Sequence, residues 1–175
     1  LFLIEKFIHS QKPHQICTLN PEYLITAQKD EELKHIINNS SLNTPDGGGL
    51  LFAAKYRGLI LNNKVSGVDL VYKLAKLSSI KGYKIFLLGG FNGVAKKSAQ
   101  NLKNKFPGCN IVGTYEGKPS IKPISKKIWQ SSYKIKRSFD ISTQNPLMTK
   151  NNLKILKQIT KTKPHILLVA YGCPK

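Results

Sequence analysis

The sequence is poor in the residue types that mark several protein classes. Its three cysteines are an odd number without a C-x-x-C pair, which argues against a zinc site or a disulfide framework and favours a reducing compartment. Its four histidines lack the i, i+4 spacing of a helical metal site, so we expect no metal and no other cofactor. The longest apolar stretch, residues 166–171, is far shorter than the roughly 18 residues that cross a bilayer, so we expect no membrane span.

Acidic residues are also scarce. Nine Asp and Glu stand against 28 Lys and Arg, for a formal charge of +19, and only Arg57 and Arg137 are arginine. One interpretation is compositional drift in an AT-rich genome, with most charges solvated. The other is attraction to anionic lipid headgroups and pyrophosphate, to which each basic side chain near the surface contributes about 1 kcal/mol. The lysines do not cluster with stacking aromatic residues, so we expect no nucleic-acid partner.

Length and hydrophobic content predict a single domain over residues 1–175. A chain of 175 residues with 41% hydrophobic residues is large enough to bury roughly two-thirds of its unfolded surface. Residues 1–8 are apolar but carry Glu5 and Lys6 and lack a small-residue cleavage site, which predicts a helix rather than a signal peptide. Because the first residue is not methionine, we expect further residues before it.

Hydrophobic periodicity predicts alternating strands and helices. We expect strands at residues 15–19, 83–88, 110–114 and 165–171, and helices at residues 30–38, 50–56, 68–79, 93–106 and 150–161. This order predicts an α/β fold with a Rossmann-like, mostly parallel sheet and helices on both faces. Residues 129–148 mix polar and apolar positions without a sustained period, which predicts an inserted loop.

The string from Pro45 to Gly49 places a carboxylate before three glycines. Successive glycines cost backbone entropy, so Gly47 and Gly48 predict the close approach of a substrate. The carboxylate of Asp46, at the lip of this turn, is a candidate general base for a bound hydroxyl. The alternative is that Asp46 only caps a helix or the turn.

A second glycine-rich turn lies between a predicted strand and a predicted helix. Backbone amides at a helix start bind anions, so Gly89, Gly90 and Gly93 are candidates to cradle a diphosphate. The alternative is tight packing of the strand against the helix. The turn is not a P-loop, because no Gly-Lys-Ser/Thr closes it.

Polar side chains also end the first predicted strand. Ligands of open parallel sheets bind beyond the carboxyl ends of the strands, so we expect Thr18 and Asn20 at the same crevice as Asp46. The alternative role of Thr18 and Asn20 is hydrogen bonding within the turn that follows the strand.

Five short strings follow one another along the chain: Thr18-Leu19-Asn20-Pro21-Glu22, Pro45-Asp46-Gly47-Gly48-Gly49, Val65-Ser66-Gly67-Val68-Asp69, Leu88-Gly89-Gly90-Phe91-Asn92-Gly93-Val94-Ala95 and Gly172-Cys173-Pro174-Lys175. Together they resemble the WecG/TagA/CpsF family of bacterial glycosyltransferases, over nearly the whole chain. The resemblance implies metal-independent, inverting transfer of a sugar, N-acetylmannosamine or a related hexose derivative, from a UDP-sugar to a polyprenyl-diphosphate-linked acceptor. The resemblance further implies that the product serves cell-surface polysaccharide or teichoic-acid-type synthesis.

The same resemblance implies a location and partners. We expect a cytoplasmic protein bound peripherally to the anionic inner face of the membrane, with an organelle stroma as the alternative. A homo-oligomer is compatible with this expectation.

The resemblance also implies roles for individual residues. Asp46 matches the carboxylate that deprotonates the acceptor hydroxyl, Thr18 matches the threonine at the reacting centre, and Asn20 matches the asparagine of that string. Where the family has an arginine before Val-x-Gly-x-Asp, this chain has Lys64. A lysine keeps the charge but loses the bidentate fork, so we expect stabilisation of the leaving diphosphate to be weaker by about 1 kcal/mol.

Three further substrate-binding candidates come from these strings, namely Asp69, Gly172 and Lys175. The family continues after the last of them with Gln-Glu and a C-terminal extension. The resemblance therefore implies either a fragment or an incomplete enzyme that binds UDP-sugar with poor turnover.

Two other functions stay open. A catalytically degenerate nucleotide-sugar-binding protein is indicated by Lys64 and by the missing extension. A basic nucleic-acid-binding domain is indicated only by the charge.

Overall fold

The computed structural model describes residues 1–10, 12–61, 64–116 and 150–172. The predicted insertion at 129–148 and the candidate Lys175 lie outside the described residues. The helices are α1 (Phe2–His9), α2 (Pro21–Ala27), α3 (Glu31–Asn38), α4 (Gly48–Tyr56), α5 (Gly67–Lys81), α6 (Val94–Lys105) and α7 (Lys150–Thr162). The strands are β1 (Ile16–Leu19), β2 (Leu42–Pro45), β3 (Ile85–Gly89), β4 (Ile111–Tyr115) and β5 (Ile166–Ala170).

All strand pairs within the described ranges are parallel. β1 pairs with β2 in a first sheet, where Thr18 lies opposite Thr44. β3 lies between β4 and β5 in a second sheet, where Gly89 lies opposite Ala170. The α/β class with parallel strands is therefore confirmed, although the described strands form two small sheets instead of one.

The second sheet packs against α5 and α6. Ile85 and Leu87 are buried against Ala75, Leu102 and Cys109 in one cluster. The side chains of Ile85 and Leu87 point to one face because they alternate along the strand. Burial of this face holds α6 against the sheet through Leu102. The turn from β3 to α6 lies at the carboxyl edge of the sheet because it directly follows the last residue of the strand.

The first sheet has its own apolar cluster, formed with α2 and α3. Leu19 of β1 packs there against Ala27, Leu33 and Ile37. Both helices start with a side-chain cap, because Asn20 Oδ1 accepts the Tyr23 amide and Asp30 Oδ1 accepts the amide of Leu33. Such caps fix the start of a helix and contribute about 1 kcal/mol each.

No helix in the described ranges combines the length and the apolar character that crossing a bilayer requires.

Ser78 joins α5 to the starts of two strands. It is fully buried, and its hydroxyl donates to the Tyr83 carbonyl at 2.7 Å and accepts the Asn110 amide at 2.9 Å. We expect Ser78→Ala to lower the free energy of unfolding by about 2 kcal/mol, because it leaves a buried donor and a buried acceptor unpaired. Urea denaturation measures the loss.

The neighbouring Ser79 is the matched control. Among the residues that the structure describes, its hydroxyl bonds only the Lys76 carbonyl of its own helix. Ser79→Ala should change the free energy of unfolding by less than about 0.5 kcal/mol. Equal effects of the two substitutions would contradict the role given to Ser78.

Candidate functional site

Asp46 lies at the junction of β2 and α5. Its amide donates to the Leu19 carbonyl, and its Oδ2 accepts the Gly67 amide at 3.0 Å. The Val65 amide donates to the Pro45 carbonyl at 3.0 Å, which holds the segment before α5 against the end of β2. The carboxylate is therefore fixed between two elements instead of extending into solvent.

Thr18 reaches the same point from the neighbouring strand. A Cβ atom added to Gly67 would lie 3.3 Å from Thr18 Oγ1 and 3.6 Å from Asp46 Oδ2. The hydroxyl and the carboxylate therefore converge on one glycine, where an added side chain would press against the Thr18 hydroxyl. Sequence reasoning did not name Gly67 as a site residue. The available signal was its place as the glycine of the Val-x-Gly-x-Asp string.

The structure shows Asp46 in the capping role that was the alternative interpretation, but with one of its two carboxylate oxygens. Its Oδ2 bonds the N-terminus of α5, not that of α4. Its Oδ1 accepts no hydrogen bond from the residues that the structure describes. One carboxylate oxygen thus holds the geometry, and the other is available to a bound hydroxyl.

A cavity of about 1400 Å³ adjoins this point and extends to the second sheet. Thr18, Asp46 and Gly67 contribute to its wall, as do Val169 and Ala170 of β5. The Ala170 carbonyl accepts the Gly90 amide at 3.3 Å. The second glycine-rich turn is therefore hydrogen-bonded to a residue that lines the cavity wall.

The start of α4 is open beside Asp46. Gly47 has φ +96° and begins the helix without a side-chain cap. A Cβ atom added to Gly47 or Gly48 would have no described atom within 4 Å. The exposed Lys64 directly precedes Val65, whose amide is bonded beside Asp46. This corner therefore combines free helix amides with a basic residue, a combination that suits an anion.

The second glycine-rich turn is shaped mainly by packing. A side chain at Gly89, whose φ is +124°, would collide with the Ala170 backbone, and one at Gly90 would lie 3.2 Å from Val94 Cβ. The Gly93 amide, at the start of α6, donates to Glu116 Oε2 at 3.0 Å. The chain therefore supplies its own carboxylate at this helix start, where the anion was predicted.

Glu116 is a residue that sequence reasoning missed. It follows β4 directly, and α6 has no acidic residue in its first turn but carries Lys96 and Lys97 close to it. Cations at a helix N-terminus are unfavourable and an anion is favourable, so the acidic residue from the next strand complements this end of α6.

The other predicted residues lie apart from this convergence or outside the description. Asn20 uses its Oδ1 to cap α2, which is the alternative role considered for it. Asp69 is exposed in the first turn of α5, and Gly172 is exposed just after β5 with φ +75°. Burial raises the pKa of the Cys17 thiol, so this neighbour of Thr18 stays protonated near neutral pH.

In the described ranges, no three His, Cys, Asp or Glu side chains gather as metal ligands. The site therefore offers one free carboxylate oxygen, one hydroxyl, helix amides and basic residues. These groups can accept a proton from an alcohol and bind a phosphate.

Comparisons with known proteins agree with this chemistry. The chain resembles proteins named N-acetylglucosaminyldiphosphoundecaprenol N-acetyl-beta-D-mannosaminyltransferase from three bacteria. With that of Bacillus subtilis strain 168 it is 22% identical over 173 residues, which is 99% of this chain and 56% of the relative. The identity is 26% over 111 residues for Bacillus spizizenii W23, covering 63% of this chain and 43% of the relative. For the protein of Staphylococcus aureus NCTC 8325 the identity is 27% over 111 residues, which is 62% of this chain and 44% of the relative.

The chain spans about half the length of these curated relatives. The model of the family described as Glycosyl transferase WecG/TagA/CpsF family matches residues 1–175. Since this match extends over the whole chain and includes every string that forms the site, the protein belongs to the WecG/TagA/CpsF family of glycosyl transferases.

Proposed function

We propose that this protein transfers N-acetylmannosamine, or a related sugar, from a UDP-sugar to a polyprenyl-diphosphate-linked acceptor. The observation that carries the proposal is the convergence of Thr18 and Asp46 on Gly67 at the wall of a large cavity. The names of the relatives support the acceptor class, because they specify a diphosphoundecaprenol-linked sugar and a mannosaminyl group.

In the proposed reaction, Asp46 acts as the general base. Its free Oδ1 takes the proton from the acceptor hydroxyl while that oxygen attacks the anomeric carbon. The bond from the anomeric carbon to the phosphate oxygen breaks, and UDP leaves with the electron pair. Attack opposite the leaving group inverts the anomeric centre. Thr18 holds the reacting sugar through its hydroxyl.

Departure of UDP places negative charge on the diphosphate, and the protein stabilises it without a metal. In this proposal the amides at Gly47 and Gly48, at the start of α4 next to Asp46, and the ammonium of Lys64 supply this stabilisation.

The same proposal places the protein on the cytoplasmic face of an anionic membrane. A formal charge of +19 attracts anionic headgroups, and a lipid-linked acceptor requires the site to work at the membrane surface.

A second function, nucleotide-sugar binding without catalysis, is favoured by one observation. The resemblance described above implies an arginine at the position of Lys64, and a lysine cannot form the bidentate contact with a diphosphate. Both functions require binding of UDP, but only the first includes transfer of the sugar.

Calorimetric titration with UDP in the presence of EDTA tests the donor, the independence from metal and Lys64 together. We expect binding by the unaltered chain and about tenfold weaker binding by Lys64→Ala, which loses one charge-assisted contact. Lys64→Arg should tighten binding, because it restores the bidentate fork.

Lys73→Ala is the control, since Lys73 is exposed on α5. It should leave UDP affinity unchanged. Absence of UDP binding by the unaltered chain would contradict the proposed donor. Equal affinities of the Lys64→Ala and Lys73→Ala proteins would contradict the role of Lys64.

A further inference from the structure

Large apolar side chains lie exposed along α4 and in the segment that follows it. Phe52 is 75% exposed, Tyr56 85%, Leu59 64% and Ile60 87%. Proteins that act as isolated soluble monomers rarely expose contiguous apolar side chains of this size, and such surfaces mark contacts with a membrane or another protein. We call these four residues the α4 patch.

Backbone geometry brings the members of the α4 patch together. Phe52 and Tyr56 are four residues apart on one helix and therefore lie on the same face. The Leu59 amide donates to the Ala54 carbonyl at 2.8 Å, so the chain after the helix folds back against its last turn. Leu59 also lines an apolar cavity of about 370 Å³ together with Leu24 of α2. The apolar surface therefore continues from α4 towards α2.

The charges around the α4 patch have one sign. Residues 47–68 include Lys55, Arg57 and Lys64 and no acidic residue. All three basic residues are exposed, and none forms an ion pair within the described ranges. Apolar and aromatic side chains beside basic residues complement an anionic bilayer, because the apolar groups enter the headgroup region while the cations attract the lipid phosphates.

A second pair of exposed apolar residues lacks this charge pattern. Phe2 is 71% exposed on α1, and Ile80 is 67% exposed near the end of α5. Glu5 lies on the same helix as Phe2, and it forms an ion pair at 3.9 Å with Lys81, the neighbour of Ile80. An acidic residue therefore stands beside this second pair, which makes it a matched control for the α4 patch.

The α4 patch is joined closely to the candidate site. α4 begins at Gly48, just after Asp46, and Phe52 follows within about 6 Å along the helix axis. The chain returns at Val65, whose amide donates to the Pro45 carbonyl at 3.0 Å. A surface that binds the α4 patch therefore lies close to Asp46.

We infer that the α4 patch docks this protein on an anionic lipid bilayer, with its apolar side chains in the headgroup region and with Lys55 and Arg57 against the lipid phosphates. The inference rests on the proposed function for its purpose, since a lipid-linked acceptor presents its diphosphate at the bilayer surface, close to Asp46. Docking itself is measurable without any sugar, so the two proposals can fail separately.

Co-sedimentation of the full chain with lipid vesicles tests the inference. The unaltered chain should bind vesicles of phosphatidylcholine and phosphatidylglycerol at least about tenfold more tightly than vesicles of phosphatidylcholine alone. The joint substitution of Phe52→Ser and Ile60→Ser should weaken binding to the mixed vesicles by about tenfold or more, because two apolar side chains no longer enter the headgroup region.

The matched control is the joint substitution of Phe2→Ser and Ile80→Ser. It replaces the same two residue types at similar exposure, and it should leave vesicle binding unchanged. Because all four side chains are exposed, both double variants should keep the urea midpoint and the UDP affinity of the unaltered chain. A loss of vesicle binding is then a property of the surface and not of folding.

The basic residues are tested in the same way. Lys55→Gln together with Arg57→Gln should weaken binding to the mixed vesicles by about twentyfold, since each basic residue near an anionic surface contributes about fivefold. Lys73→Gln together with Lys76→Gln removes the same charge from exposed positions on α5 and should weaken binding by less than about threefold.

Each contrary outcome overturns a stated part. Absence of vesicle binding by the unaltered chain, or equal losses in the two Phe and Ile double variants, overturns docking through the α4 patch and leaves the proposed function standing. Equal losses in the two basic double variants overturn the role of Lys55 and Arg57.

A second copy of the chain is the other occupant to test. Sedimentation velocity without lipid measures self-association. A dimer that Phe52→Ser with Ile60→Ser dissociates, while vesicle binding stays unchanged, overturns the bilayer as the occupant. Vesicle binding that depends on the α4 patch, in a chain that does not bind UDP, overturns the proposed donor and supports the docking surface.

Discussion

Asp46→Asn is expected to lower sugar transfer by about 10²–10⁴-fold and to leave the affinity for UDP nearly unchanged. The asparagine has the same shape, and its carbonyl oxygen can still accept the Gly67 amide that now bonds Oδ2 at 3.0 Å. It cannot take a proton from the acceptor hydroxyl. The substitution therefore separates the position of the group from its function as a base.

The measurement is a single-turnover assay with protein in excess over a UDP-sugar and a lipid-linked acceptor, alongside calorimetry with UDP. Excess protein makes slow transfer measurable. Glu32→Gln, an exposed change on α3, controls for loss of a carboxylate elsewhere and should keep the full rate.

Two results would revise the proposal in different ways. Full transfer by Asp46→Asn would remove the acid from the mechanism. UDP binding without transfer by the unaltered chain would favour the non-catalytic nucleotide-sugar-binding protein.

Gly89→Ala is expected to lower the free energy of unfolding by at least about 3 kcal/mol. The position has φ +124°, which L-residues rarely adopt, and the new methyl group would collide with the Ala170 backbone. β5 would have to move away from β3, which would break parallel pairing along Ile85 to Gly89. Urea denaturation should show the midpoint falling by about 1–2 M.

Gly93→Ala is the matched control in the same turn. Its φ is +82°, and no described atom lies within 4 Å of the added methyl group. It should cost only the strain of the left-handed backbone, about 1–2 kcal/mol. Equal losses at Gly89 and Gly93 would contradict the packing explanation for Gly89.

Local patterns predicted most elements because their signals lie within a few residues. The helix predicted at 68–79 occurs as α5, where Ser66 caps the start and the left-handed Gly82 ends it. The strand predicted at 83–88 occurs as β3, since a run of buried apolar residues bounded by glycines has few other structures.

Two elements had no such local signal. β2 is only Leu42-Asn43-Thr44-Pro45, and its extended form depends on pairing with β1. α2 has only seven residues and begins at a proline, so its sequence alone does not distinguish a helix from a loop. The cap from Asn20 fixes its start.

The sequence by itself determined the α/β class, the family and the two glycine-rich turns, because each depends on residue types at fixed short spacings. Only the tertiary structure decided which groups meet. Asp46 and Gly67 are 21 positions apart, and Gly93 and Glu116 are 23 positions apart; parallel strand pairing and helix packing bring each pair into contact. Spacing along a chain carries no information about such contacts, since they depend on which strands become neighbours. The structure thus places Asp46 beside Thr18, and it pairs an unpredicted carboxylate, Glu116, with the second turn.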